Sequence, residues 1–166
     1  TIANQFMKLW FRIPRPWVLD ENFTILEQAR EGASGYSFPS GHTQSAVGTF
    51  GSIAATTKYK TLRIAAVVIA LLVALSRMYI GVHTPLDVGV SIGIALVLVF
   101  ALRPIMDKAD KNPTVMYIFL GSMLLMAVLF VLYVELYKFP ADIDAHNYAS
   151  GLKNAYTLLG ALLGMI

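Results

Sequence analysis

Apolar runs at 43–57, 64–80, 85–102, 114–137 and 148–166 leave this chain few ways to fold. The strongest, 114–137, is long enough to cross a hydrocarbon core of about 30 Å with some tilt. With 57% hydrophobic and only 14% charged residues in 166, the chain is too apolar for an ordinary soluble domain and too short for several domains. The class it predicts is all-α, a polytopic bundle of transmembrane helices with the bilayer as solvent.

Each run carries its own signals. Residues 1–7 are too short to span and read as the end of a preceding membrane helix, and 8–38, rich in charge, Pro, Ser and Gly, read as an extramembrane loop with a short surface helix at 27–31. In 43–57, Gly48 with Ser52 and Gly51 with Ala55 have the small-residue spacing that lets helices approach closely in lipid, which predicts a buried span. Lys58, Lys60 and Arg63 close it; 64–80 follows, with Ser76 and Arg77 near its far end. Pro85 opens the third span at a first-turn position, Gly89 and Gly93 repeat the packing spacing, and Arg103 marks the end before a polar connection at 107–112. The last run is weaker, interrupted by Lys153 and Asn154, and an interfacial helix is its alternative; Gly160 and Gly164 there read as packing glycines.

Several function classes drop out. The chain has no cysteine, which removes disulfides, thiolate catalysis and cysteine-ligated metals. Its net charge is +3, but no dense basic run or aromatic-basic interleaving points to nucleic acid, and loop charges flanking spans account for the excess. Consecutive spans alternate in direction, so the segments around 8–42, 76–87 and 138–147 share one face. Lys58, Lys60, Arg63, Arg103, Lys108 and Lys111 crowd the other, which the positive-inside rule makes cytoplasmic. Lys8, Arg12, Arg15 and Arg30 run against that count on the outer face. The predicted location is the plasma (inner) membrane, with the outer segments extracytoplasmic.

Those outer segments hold three blocks: Lys8 with Arg15-Pro16, then Pro39-Ser40-Gly41-His42, then Ser76-Arg77 with His83 and Asp87. Phosphoryl transfer needs fixed positive charge on the phosphate oxygens, a nucleophile, and a proton for the leaving oxygen. Lys8, Arg15 and Arg77 can supply the charge. Ser40 is a good cap residue and Gly41 lets backbone N–H groups approach an anion at a helix start, where His42 would face it as a proton donor. His83 and Asp87 are four apart, so the carboxylate can accept from one imidazole nitrogen and leave the other free to attack phosphorus. Taken singly, each block has a plain structural reading: a helix cap, a dipole complement, or basic residues touching headgroups. Arg77, at the end of an apolar span, needs a partner that a phosphate would provide.

Together the blocks resemble the signature of the type 2 phosphatidic acid phosphatases, the integral-membrane lipid phosphate phosphatases related to vanadium haloperoxidases and glucose-6-phosphatase. The match covers 8–87 with no signature position substituted. The resemblance implies a metal-independent, two-step hydrolysis through a phosphohistidine, without a cofactor. In it His83 is the nucleophile, Asp87 its orienting carboxylate, and His42 the acid that protonates the leaving alkoxide and later activates water. Lys8, Arg15, Arg77, Ser40 and the Gly41 amide form the phosphate pocket, with Ser76 and Pro39 as scaffold. The implied partner is a phosphorylated lipid: phosphatidic acid, phosphatidylglycerol phosphate or an isoprenyl pyrophosphate. The family usually places about three membrane helices before the first block and ends one helix after the last. Residues 1–102 therefore read as a catalytic core incomplete at its N-terminal side, and 103–166 as additional membrane helices.

Two other functions compete: a non-catalytic protein that binds or moves anionic lipid, and a vanadate-dependent haloperoxidase. His146 with Asp142 and Asp144 makes a metal site conceivable but is more readily an ordinary polar loop. Tyr36 and Tyr79 are expected in an interfacial aromatic belt.

Overall fold

The computed structural model describes residues 1–141 and 143–165. Its elements are α1 (Ile2–Phe11), α2 (Pro16–Leu19), α3 (Glu27–Arg30), α4 (Gly41–Thr56), α5 (Lys60–Tyr79), α6 (Pro85–Ala109), α7 (Pro113–Leu136) and α8 (Ala145–Leu163). Among the described residues the regular structure is all helical, as the lengths of the apolar runs predict. Three helices, α5, α6 and α7, are long and apolar enough to cross a membrane by length and composition.

The other two expected spans differ. Helix α4 has 16 residues, about 24 Å at the usual rise per residue, which is short of a hydrocarbon core. It is also less buried than its small residues predict: only Thr43, Gln44 and Val47 are enclosed. Helix α8 falls short in hydropathy and packs along α1 and α7. Helix α6, in contrast, runs past Arg103 and through Pro104 to Ala109, so the connection shrinks to 110–112. Asn112 then starts α7 by accepting the Thr114 N–H at 3.0 Å.

Local chemistry explains the ends that matter. Helix α1 finishes with Arg12 in the left-handed region at φ 50°, its N–H returning to the Lys8 carbonyl. Ser40 caps α4 through the Thr43 N–H, and Arg63 satisfies its far end by donating to the Ala54 and Thr57 carbonyls at 3.0 and 2.9 Å. Thr84 and Asp87 form a reciprocal capping box at the start of α6, where Pro85 sits in the first turn.

The helices sort into two groups. Helices α4, α5 and α6 close on a small core of Val47, Ala70 and Ala95, and at Gly51 a Cβ would meet Val99 of α6 only at an ordinary contact distance of 3.7 Å. Helices α1, α7 and α8 close on a larger one containing Leu9, Phe130, Val134 and Ala155, where Tyr36 is also buried rather than in a belt. Tyr79 is 93% exposed and lines no cavity wall at the blocks. Gly48, Gly89, Gly93 and Gly160 have no neighbour where a Cβ would stand, and Gly164 meets only carbonyls of its own helix, so those spacings do not mark close contacts. The tight approach falls at Gly151, where a Cβ would come within 2.7 Å of a Leu9 methyl and so separate α8 from α1.

The turn between α5 and α6 depends on Gly81. Its φ of 78° suits glycine, and a Cβ there would run into the Thr24 carbonyl oxygen while lying 3.0 Å from the Ile25 Cα. The 20–26 segment is held against this turn by the Leu26 N–H on the Ile80 carbonyl at 3.1 Å. Gly81→Ala should destabilise the detergent-solubilised protein by about 2 kcal/mol or more. Thermal melting of the two proteins side by side checks this, and an unchanged midpoint would refute it.

Candidate active site

Lys8, Arg15, Gly41, His42, Arg77 and His83 all line one cavity of about 580 Å³. They come from α1, the loop after it, α4, α5 and the loop before α6, so the cavity lies on the seam between the two helix groups. Ser40 and Asp87 stand behind its wall, 0% and 2% exposed. Ser40 is engaged with Thr43 through both the cap and a 2.9 Å hydroxyl contact.

The three cations are held differently. Arg15 donates from Nε to the Gly35 carbonyl at 3.0 Å and from its terminal nitrogens to the Ser34 and Val82 carbonyls, both at 2.9 Å. It thereby ties the 34–35 strip to the turn that carries His83. Lys8 donates to the Tyr36 carbonyl and, at 3.3 Å, to that of Ser37. Arg77 is the opposite case. Among the described residues its side chain takes no hydrogen bond, and its Nε is buried without a partner, a loss of about 1–3 kcal/mol that an anion would relieve.

These enclosures shift proton affinities. Burial first, then the Arg15 guanidinium, pulls the Lys8 ammonium down to about 7 against the opposing pull of Asp87. Burial also draws Arg15 down to about 10, with Asp87 opposing and Arg77 adding. The His83 imidazole falls to about 4: burial lowers it, its hydrogen bond to Asp87 resists, and Arg15 and Lys8 lower it further. Near neutral pH His83 is therefore uncharged, and its Nε2 carries a lone pair.

Spacing alone predicts that this lone pair is free, but the structure shows it engaged. Arg15 Nη1 lies 3.1 Å from Nε2, and because guanidinium only donates, Nε2 must be the acceptor and Nδ1 must hold the proton. The Nδ1–H faces Asp87 Oδ2 at 3.4 Å and Ser37 Oγ at 3.5 Å. Asp87 Oδ2 also accepts from Ser37 Oγ at 2.6 Å and from the Thr84 N–H at 2.8 Å. The backbone completes the fixture: the Val82 and His83 N–H groups both reach the Arg77 carbonyl, and the Ser40 N–H reaches that of Asp87.

Ser37 is the residue that spacing misses. It is 1% exposed, its carbonyl holds Lys8 and its hydroxyl holds Asp87, 50 positions away. Its only sequence signal is its place just before Pro39. The Asn4 amide, also missed, donates to Gln44 at 2.8 Å and to the Pro39 carbonyl at 3.3 Å, fixing the entry to α4. Ser76 donates to the Val73 carbonyl of its own helix at 2.7 Å, a scaffold contact. Of the His146, Asp142 and Asp144 trio, Asp142 lies outside the described residues; the other two border a separate cavity of about 760 Å³.

The arrangement can bind a tetrahedral anion, present an imidazole lone pair to it, and offer His42 from another wall. Comparison with known proteins shows the family. The family model described as PAP2 superfamily matches residues 1–111. Undecaprenyl-diphosphatase BcrC of Bacillus subtilis (strain 168) is 31% identical over 131 residues, 68% of this chain and 65% of that protein. Phosphatidylglycerophosphatase B of the same organism is 32% identical over 119 residues, 66% of this chain and 54% of that protein. The chain thus spans between about half and two thirds of the length of the curated relatives it matches. No solved structure matches it. On the strength of the family match across its signature blocks, the chain belongs to the PAP2 superfamily.

Proposed function

We propose that this protein is a membrane-embedded, metal-independent phosphatase that removes phosphate from a lipid phosphomonoester or diphosphate through a phosphohistidine. The observation that carries the reading is the convergence of Lys8, Arg15, Arg77, His42 and His83 on one cavity, with Asp87 behind His83. The substrates named for the two relatives, a lipid diphosphate and a phosphatidylglycerophosphate, support a lipid. The aromatic cluster of Phe6, Trp10, Tyr133, Tyr137 and Phe139 supports a site at headgroup depth, because it surrounds the end of α7 beside the helix that carries Lys8. The charge asymmetry of the connections supports a site on the extracytoplasmic face of the plasma membrane.

In the first step the substrate phosphate takes the uncommitted Arg77 donors, the remaining Lys8 proton and the Gly41 amide. Arg15 turns an N–H from Nε2 to a phosphate oxygen, and the released lone pair attacks phosphorus. The bond to the lipid oxygen breaks as His42 gives that oxygen a proton. Asp87 keeps the proton on Nδ1 and stabilises the positive imidazole. In the second step His42 takes a proton from water, the oxygen attacks phosphorus, the N–P bond breaks, and inorganic phosphate leaves.

His83→Ala should reduce phosphate release from a mixed-micelle lipid panel by about 10³-fold or more and abolish acid-labile phosphoenzyme. His42→Ala, given a substrate with a good leaving group, should instead accumulate that phosphoenzyme. Full turnover by the His83 variant would sink the reading.

Ser37→Ala should lower kcat by about tenfold with KM unchanged, since it loosens Asp87 without touching phosphate. An effect on KM alone would reject that role.

The pH profile has a definite sign. Below about 4 His83 gains a proton at Nε2 and loses its nucleophile; above about 7 Lys8 loses its charge and the phosphate site weakens. His42, drawn below the usual imidazole range by burial and then by Arg77, Arg15 and Lys8, must also hold the proton it donates. A plot of kcat/KM against pH should therefore rise through about 4 and fall toward and beyond neutral pH as His42 and then Lys8 lose their protons, whereas a profile still flat at high pH would reject both roles.

A further inference from the structure

Helix α8 lies outside the residues matched by the family model, which end at 111, yet it reaches the catalytic cavity. Asn154 lines that cavity together with Gln5 of α1, and its Nδ2 donates to the Gln5 Oε1 at 3.1 Å. Among the described residues, the Asn154 Oδ1 and the Gln5 Nε2 take no other side-chain partner. Both residues are half-buried rather than free on the surface. The contact is fixed from below, because Gly151, one turn earlier, lets α8 seat directly on Leu9, the neighbour of Lys8.

We infer that the Asn154–Gln5 amide pair is a subsite for the oxygen-bearing part of the leaving group next to the scissile phosphate, such as a second phosphate. This rests on the phosphatase reading and deepens it. The cations and His83 account for the scissile group, and that group carries charge that arginine and lysine match best. Two neutral amides are suited to a different task. They give one more donor and one more acceptor at a fixed separation, they keep no proton equilibrium in the working pH range, and they add no further attraction for the scissile phosphate itself. A leaving group with phosphate or phosphodiester oxygens would complete the Gln5 Nε2–H and the second Asn154 Nδ2–H, while a simple monophosphate would leave them to water. The C-terminal helix thereby selects substrates, and the core cations bind what is common to all of them.

The test uses full-length protein in detergent micelles and initial rates of inorganic phosphate release from two pairs: farnesyl diphosphate with farnesyl monophosphate, and phosphatidylglycerol phosphate with phosphatidic acid. Asn154→Ala should lower kcat/KM about tenfold on the pair member with the extra phosphate and less than about twofold on its simple monophosphate, the worth of one hydrogen bond. Asn154→Asp, nearly isosteric and so safe for folding, should lower it further on the same member, because its charge repels a second phosphate. Selective loss in the farnesyl pair assigns the subsite to a diphosphate, and selective loss in the glycerophospholipid pair to a phosphodiester. Equal losses on all four substrates, or none, overturn the inference while leaving the phosphatase intact. Absence of turnover by the unmodified protein on every substrate would instead remove the phosphatase reading beneath it.

Discussion

A buried guanidinium has to satisfy its N–H groups inside the protein, and the geometry of this site follows from how Arg15 does so. Its partners are the carbonyls of Ser34, Gly35 and Val82 and the imidazole of His83. Two stretches of chain with no regular structure are thus locked to each other around one charge that cannot be removed near neutral pH. Loss of that charge would leave several backbone acceptors without donors, each a penalty of about 1–3 kcal/mol. Arg15 is therefore a structural clamp first, and its proposed role on phosphate requires that it let go of Nε2.

Asp87 shows the same economy of parts. It starts α6 through the capping box with Thr84 and contacts His83 with the same carboxylate oxygen. The plain reading, a helix cap, holds for this residue, and the same oxygen is also placed to orient His83 as the proposed mechanism requires. Lys8 is tied to the Ser37 carbonyl and Asp87 to the Ser37 hydroxyl, so the proposed phosphate-binding and nucleophile-orienting halves meet in one residue, through its backbone and its side chain. Arg77 completes the division of labour, its backbone carbonyl holding the His83 turn while its side chain remains uncommitted.

Much of this was legible in the residues. Apolar run lengths give the helical class, Ser40 and Pro85 mark real helix starts, and the spacing of His83 and Asp87 puts them in contact. What spacing misses depends on long separations: Ser37 to Asp87, or Gln5 to Asn154, 149 positions apart. Small-residue spacing is an uneven guide for a related reason, since Gly48 and Gly93 have the pattern but no neighbour, whereas Gly151, four residues before Ala155, has both. A pattern on one helix cannot say which face another helix will occupy. Arg103 and Pro104 look like stop signals, yet a proline inside α6 does not end it.

The cavity is assembled at the first turns of α4 and α6, the last turns of α1 and α5, and one side of α8. The turns at 57–59 and 110–112 lie at the far ends of α4 and α6, about 24 Å or more away along helices of 16 and 25 residues. Insertions and deletions should therefore be tolerated very unevenly. The two far turns can lengthen or shorten without moving an atom of the candidate site, whereas a single residue added between Arg77 and His83 would carry the imidazole out of reach of both Arg15 and Asp87. The protein has in effect one end whose spacing is fixed by chemistry and another free to drift.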